Sequence, residues 1–169
     1  MTGRSPLTPV VVRTATEGDA DGVLAIAREL VRDGTTYVFA PETTDDELRA
    51  YWLDPRARRF VAAVEGEVAG CYLLRPNQAG RGGHVANASY AVAQRFAGRG
   101  VGRAMGEHSL EEARRLGFKA MQFNFVVSTN EAAVALWKTL GFRIVGELPR
   151  TFRHPTLGLV DAYVMHRFL

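Results

Sequence analysis

Three glycines at alternate positions, Gly98, Gly100 and Gly102, are interleaved with Arg99, Val101 and Arg103. Glycine tolerates tight, left-handed backbone turns and lets a ligand come close to the chain's N–H groups. The residues that follow, to Leu116, have helical spacing, so a helix start points its unpaired first-turn N–H groups and positive dipole end into the loop. Arg99 and Arg103 add full positive charge. A strand ending at Val92, a glycine loop with arginines and a helix N-terminus together describe an anion site, suited above all to a pyrophosphate.

Two common phosphate loops do not fit. A P-loop requires Lys-Ser or Lys-Thr after its last glycine, and here Gly102 is followed by Arg103-Ala104. The dinucleotide fingerprint requires a third Gly or Ala, and Arg103 or Met105 stands there instead, depending on the starting glycine.

Around this loop the chain sets clear bounds. Its 169 residues suit one domain, residues 1–169, with residues 1–9 expected to be a disordered end. A chain this long buries roughly 70% of its unfolded surface without staples. With 47% hydrophobic and 23% charged residues it has the composition of a soluble globular protein. No apolar run reaches the roughly 20 residues of a membrane helix, so no membrane partner is expected. The first ten residues lack the apolar core of a secretory signal. Cys71 is the only cysteine, which excludes an internal disulfide and suits a reducing cytoplasm. The net charge is +3, carried almost entirely by scattered arginines, since only Lys119 and Lys138 are lysines. No basic run with interleaved aromatics marks a nucleic-acid surface, and a local site for an anionic ligand accounts better for the charge.

The elements that must position the loop follow from periodicity. Val10 to Arg13 is a short strand, and Thr16-x-x-Asp19 has the form of a capping box before a helix ending at Asp33-Gly34. A second helix starts at Thr44 with Glu47 three residues on; Leu48, Tyr51 and Trp52 form its buried stripe. The connection Thr35 to Pro41 is unusually apolar and aromatic, and two readings stand: Tyr37 and its neighbours line a substrate pocket, or they pack on the sheet. Phe60–Glu65 and Val68–Leu74 form a hairpin about Gly66. Pro76 to Gly83 is a loop, and His84 to Val92 is the strand that feeds the glycine loop. Ala120 to Ser128 is a further strand. The helix from Asn130 buries Ala133, Leu136, Trp137 and Leu140, and Gly141-Phe142 ends it in the Schellman manner. Arg143–Leu148 and Ala162–Leu169 are the last two strands.

The loop resembles the acetyl-CoA loop of the GNAT acetyltransferases, Gln/Arg-x-x-Gly-x-Gly/Ala. Gly100 and Gly102 match its glycines, while Ala97 replaces the usual Gln or Arg and removes one expected contact. Asn130 to Phe142 is similar to the family's Asn-x-x-Ala-x-x-Leu-Tyr-x-x-x-Gly-Phe segment. The order β-α-α-β-β-β-α-β-α-β-β is also the family's. The resemblance implies an α/β (α+β) GNAT fold, with a central mixed, mostly antiparallel sheet of about seven strands and four helices. It implies an N-acetyltransferase using acetyl-CoA as co-substrate and no metal, with room for a homodimer. Val92, Gly98, Arg99, Gly100, Val101, Gly102, Arg103, Asn130 and Trp137 would contact the cofactor.

Gly34 to Tyr37, Pro76-Asn77, His84 to Asn87, and Phe123-Asn124 through Thr129-Asn130-Trp137 look like the fungal L-azetidine-2-carboxylate N-acetyltransferases, which acetylate small imino acids. That likeness assigns the substrate carboxylate to Asn87, and to Asn124 the polarising of the acetyl carbonyl or positioning of the amine. Other acceptors remain open: a phosphinothricin-like amino acid, a polyamine, or none, in a sensor that binds acetyl-CoA without turnover.

The reaction needs an oxyanion site and a route for the amine proton. Backbone N–H groups beside Val92 are one donor set and Asn124 is another. A polar residue between Phe123 and Phe125 near a strand centre is costly unless its hydrogen bonds are used. The strand before the loop contains no carboxylate, which leaves His84 as the nearest titrating base, with a water relay or an already neutral amine as equal alternatives. A lone Cys71 in an apolar strand reads as packing rather than as a nucleophile.

Overall fold

The computed structural model describes residues 9–169, so the disordered end expected for residues 1–9 lies, Pro9 apart, outside the described residues. Helices begin where a side chain can serve the N–H groups that a first turn leaves unpaired. Thr16 and Asp19 form the expected capping box, which leads through a single 3-10 turn into α1, Ala20–Asp33. At α2, Asp45–Trp52, the Thr44 hydroxyl accepts from the Glu47 N–H, and the Glu47 carboxylate accepts from the Thr44 N–H at 2.7 Å. The third helix, α3, spans Val101–Arg115 and the fourth, α4, Glu131–Thr139, capped by the Asn130 side chain. The last of these ends as the sequence implies: Gly141 is left-handed at φ 85° and the Phe142 N–H reaches back to the Trp137 carbonyl at 2.9 Å.

Seven strands make one sheet: β1 Val11–Thr14, β2 Arg58–Val64, β3 Glu67–Pro76, β4 Val85–Val92, β5 Ala120–Val127, β6 Arg143–His154 and β7 Gly158–Phe168. Their order is β1-β2-β3-β4-β5-β7-β6, and every neighbouring pair is antiparallel except β4 with β5. This is the expected mixed, mostly antiparallel sheet with four helices. Alternation along β3 and β4 sends successive side chains to opposite faces. Tyr72 and Tyr90 reach His108 and Ser109 of α3, whereas Ser89 meets Tyr51 of α2. Gly106 permits close contact between α3 and α4, since a Cβ there would lie 2.6 Å from Leu140 Cδ1.

The two final strands exceed their expected bounds. Beyond Leu148 the sequence pattern is broken by Pro149, and the register shifts between Leu148 and Phe152. Arg150 turns left-handed at φ 52°, with its N–H on the Asp161 carboxylate at 2.7 Å. A bulged ribbon of this kind loses the strict period of two that marks a strand in sequence.

Asp19 joins β1 to the start of α1. Its carboxylate accepts two bonds from the Arg13 guanidinium, at 2.7 and 2.8 Å, and one from the Thr16 N–H. The Arg13 hydrogen bonds, with those from Thr16, hold its pKa well below the usual carboxylate range despite burial. A depressed folded-state pKa contributes stability that is present above the unfolded value of about 3.9 and is lost as pH falls toward the folded one. The urea midpoint should therefore fall between about pH 6 and about pH 2, and Asp19→Asn should shrink that fall. Unfolding curves at the two pH values check this; an unchanged difference in Asp19→Asn would assign the acid sensitivity elsewhere.

Candidate active site

Parallel pairing of β4 with β5 is limited to Val85–Ala120 and Ala86–Met121, and β5 bulges between Phe123 and Val126. The strands part, and a cleft of about 760 Å³ opens between them. Its size is within the range of small-molecule sites. The parting strands leave backbone carbonyls without sheet partners, and buried carbonyls need donors. Tyr37 donates its hydroxyl to the Tyr90 carbonyl at 2.8 Å, and Asn87 Nδ2 donates to the Gln122 carbonyl at 3.0 Å. In the apolar connection before α2, Thr36, Tyr37 and Val38 line the cleft, and the Tyr37 ring packs on Phe39 of the same connection and on Trp52 of α2.

At one end lies the glycine loop. Gly98 and Gly100 are left-handed, at φ 73° and 82°, and a Cβ on either would meet nothing within 4 Å. The first α-helical bond of α3 runs from Ala104 to the Gly100 carbonyl, so the N–H groups of Val101, Gly102 and Arg103 have no intrahelical acceptor. Val92, Gly98, Gly100, Val101, Gly102 and Arg103 all line the cleft, joined from α4 by Asn130, Ala133, Leu136 and Trp137. Ala133 and Leu136 are only half-buried, so they belong to the cleft wall and not to the buried stripe expected of them. Arg99 departs from expectation. It lies outside the lining, and its guanidinium sits 5.2 Å over the Phe96 ring, leaving Arg103 as the loop's lining cation.

Away from the loop the lining carries several polar side chains. Arg75, the last residue but one of β3, stands directly opposite Asn87 of β4, and both line the cleft with Ser89, Tyr51 and Asn124. No hydrogen bond or salt bridge from the described residues reaches the Arg75 guanidinium, which lies 5.3 Å from the Tyr51 ring centre. The Tyr51 hydroxyl pairs with Ser89 at 2.8 Å. Two carboxylates also reach the cleft, but each is engaged: Glu29 accepts from the Gln94 N–H and Asp33 from the Thr35 N–H. Arg75 is absent from the sequence expectations. Its readable signal is an arginine closing the apolar run Cys71 to Leu74, just before Pro76-Asn77.

The remaining candidates divide. Asn124 lines the cleft but is exposed, which corrects the expectation of a buried polar residue between two phenylalanines. Phe123 turns into the core against Trp137 and Phe142, while Asn124 faces the other way. Its amide donates to Asn77 Oδ1 at 2.7 Å and accepts from Gln122 Nε2 at 2.9 Å. His84 falls one residue outside β4, is exposed beside the Arg81 carbonyl and does not line the cleft. The strand starts later than expected, so the geometry does not support His84 as base. Burial pushes the Cys71 thiol up to about 12, which leaves it inert near neutrality and excludes a thiolate nucleophile. Trp137 is buried, with ring centres 4.7 Å from Tyr90 and 4.8 Å from Phe123.

The sequence profile of the acetyltransferase (GNAT) family matches residues 24–142, a span that contains every residue lining the cleft. The chain belongs to this GNAT family. A GCN5-related N-acetyltransferase from Kribbella flavida superposes on this GNAT chain with a TM-score of 0.91 at 46% identity, over 95% of this chain and 98% of that one. The L-methionine sulfoximine/L-methionine sulfone acetyltransferase of Pseudomonas aeruginosa is 31% identical over 82% of this chain and 83% of its own. The N-acetyltransferase aca1 of Schizosaccharomyces pombe is 35% identical over 56% of this chain, a fungal relative in keeping with the narrower resemblance. The chain spans 46% of the length of aca1 and 19% of that of a second yeast relative. No helix among the described residues is long and apolar enough to cross a membrane, and none of their His, Cys, Asp and Glu side chains form a group of three able to hold a metal.

Proposed function

We propose that residues 1–169 act as one acetyltransferase domain that moves the acetyl group of acetyl-CoA directly to the amine of a small amino or imino acid. The observation that carries this reading is Arg75, a guanidinium on the cleft wall with no salt bridge, facing Asn87. A carboxylate is the natural ligand of a planar, permanently charged guanidinium. One Asn87 N–H is committed to the Gln122 carbonyl, so Arg75 holds the carboxylate and Asn87 adds its remaining N–H. A polyamine fits less well, because Arg75 beside Asn87 carries no ion pair while the cleft's two carboxylates, Glu29 and Asp33, are engaged.

In this reading the pyrophosphate rests on the N–H groups of Gly98 to Arg103, and the thioester reaches the gap between β4 and β5 along Leu136 and Trp137. The neutral amine attacks the thioester carbonyl. Backbone N–H groups of β4 beyond Ala86, which have no β5 partner, stabilise the oxyanion with Asn124 near the rim. The amine's proton leaves to water in the open cleft, and CoA departs as thiolate. A buried, reduced Cys71 suits the cytoplasm. The final ribbon exposes Ile144 and Val145 on β6, and a homodimer that covers them belongs to the same proposal.

The test is a panel containing L-azetidine-2-carboxylate, L-methionine sulfone, phosphinothricin, a polyamine, and amines that lack the carboxylate, with release of free CoA thiol as the readout. Carboxylate-bearing amines should be preferred, because a site built around a polar contact rejects analogues that leave it unpaired. Arg75→Met keeps an apolar stem and should raise KM for the preferred amino acid by about tenfold to a hundredfold, the value of a charged hydrogen bond. Equal rates with and without the carboxylate would overturn the substrate class. Binding of acetyl-CoA with no thiol release for any amine would make the protein a sensor.

A further inference from the structure

We infer that Tyr51 is the positioning residue that holds the Arg75 guanidinium ready for the substrate carboxylate; the inference rests on the carboxylate-bearing acceptor proposed above. Arginine has a long side chain with much rotamer freedom to lose on binding a ligand. Elsewhere in the chain arginines near carboxylates are fixed by ion pairs, as Arg56 is by Asp54 and Arg28 by Asp45. Such a pair occupies N–H donors and cancels charge, which would spoil an anion site. Arg75 has no such pair: Asp54 is near enough to feel its charge, but the Asp54 carboxylate is taken up by Arg56. Its guanidinium carbon lies 5.3 Å from the centre of the Tyr51 ring, within reach of the ring's negative face. That attraction orients a cation without using its N–H donors, and all five remain for a ligand.

The ring can do this because it is itself immobilised. Phe39 and Trp52 meet it edge-on at 5.3 and 5.2 Å, and Tyr37 at 6.5 Å. Its hydroxyl is tied to Ser89 on β4 at 2.8 Å. Four contacts from the α1–α2 connection, α2 and the sheet thus fix one aromatic face beside Arg75, and Asn87 stands across the strand pair from that arginine. The apolar segment before α2 supports the ring that prepares the charge.

The experiment compares kcat/KM for the fastest amino acid of the panel with kcat/KM for the same amine lacking its carboxylate, and uses the ratio as readout. Tyr51→Phe keeps the ring face and loses only the Ser89 bond, so the ratio should stay within about threefold of the starting value. Tyr51→Leu should lower the ratio by about tenfold, through KM for the amino acid and not through kcat. A purely structural role would slow both amines together and leave the ratio where it was. Should Tyr51→Leu fail to fold, phenylalanines carrying one, two and three ring fluorines at position 51 keep the shape and weaken the negative face stepwise. The ratio should then fall stepwise with fluorination. A ratio indifferent to fluorination, or to a folded Tyr51→Leu, while Arg75→Met still lowers it, overturns the role of Tyr51 and leaves the carboxylate reading standing. A native protein with no preference for the carboxylate removes both.

Discussion

Gly102→Val should cost the protein its grip on acetyl-CoA, with affinity falling about a hundredfold or more and the fold intact. Gly102 is in the first turn of α3, outside the left-handed region, so a side chain there meets no backbone strain. A Cβ would lie 3.5 Å from Leu136 Cδ2 and 3.9 Å from Val92 Cγ2, ordinary contact distances, and the valine methyls would project into the cleft. The helix should tolerate valine there, since glycine is the poorer helix former. What is lost is the close approach of a pyrophosphate to the first-turn N–H groups, where each hydrogen bond to a charged ligand contributes about 1.5–3 kcal/mol. Losing one or two such bonds gives the predicted factor, at about 1.4 kcal/mol per tenfold. Gly100 is a less clean target, because its φ of 82° adds roughly 1–2 kcal/mol of backbone strain to any substitution. Calorimetry with acetyl-CoA, alongside circular dichroism, reads the result. Undiminished affinity in Gly102→Val would take the glycine loop out of the cofactor site.

That this loop could be read from sequence, and Arg75 could not, has a physical cause. The glycines, the Asn130 cap and the Gly141 stop are each required by local backbone geometry, and local geometry leaves its mark on neighbouring residue types. The same holds for the capping boxes at Thr16 and Thr44, and so the order of strands and helices was legible nearly throughout. Arg75 is marked out from the other arginines by lining the cleft without an ionic partner, a property of what the fold brings near it. Tyr37 and Asn87 were legible as cleft residues, but their tasks were not: each serves a carbonyl exposed by the parting of β4 and β5, which depends on where parallel pairing stops. His84 misled because a strand end can be placed in sequence only to within a few residues, and one residue separates it from β4. Asn124 misled because the neighbouring phenylalanines suggested burial, while alternation turns it away from the face on which Phe123 is buried, and the bulge after Phe123 leaves Phe125 half-buried.

Position 137 gives the second large effect, and two substitutions there separate packing from proton transfer. Many family members carry tyrosine in this segment, and a phenol can protonate the departing thiolate; tryptophan cannot, because its indole N–H does not ionise usefully near neutrality. The leaving thiol has a reference pKa of about 8.5, so CoA can depart as thiolate and take its proton from water. Trp137 instead fills space. It packs against Tyr90, Phe123 and Phe142, and against Gly106 of α3, where an added Cβ would come within 3.1 Å of its ring. Trp137→Ala should therefore lower stability by about 3–5 kcal/mol, read as a lower urea midpoint, since a buried ring is removed and both strands and helices meet at the hole. Trp137→Phe keeps an aromatic body and removes the N–H. Its kcat should fall by less than about tenfold, well short of the roughly hundredfold to ten-thousandfold expected when a general acid is lost. A thousandfold loss in Trp137→Phe, with stability and acetyl-CoA affinity unchanged, would put the indole N–H into the chemical step and require a proton donor where water is now assigned.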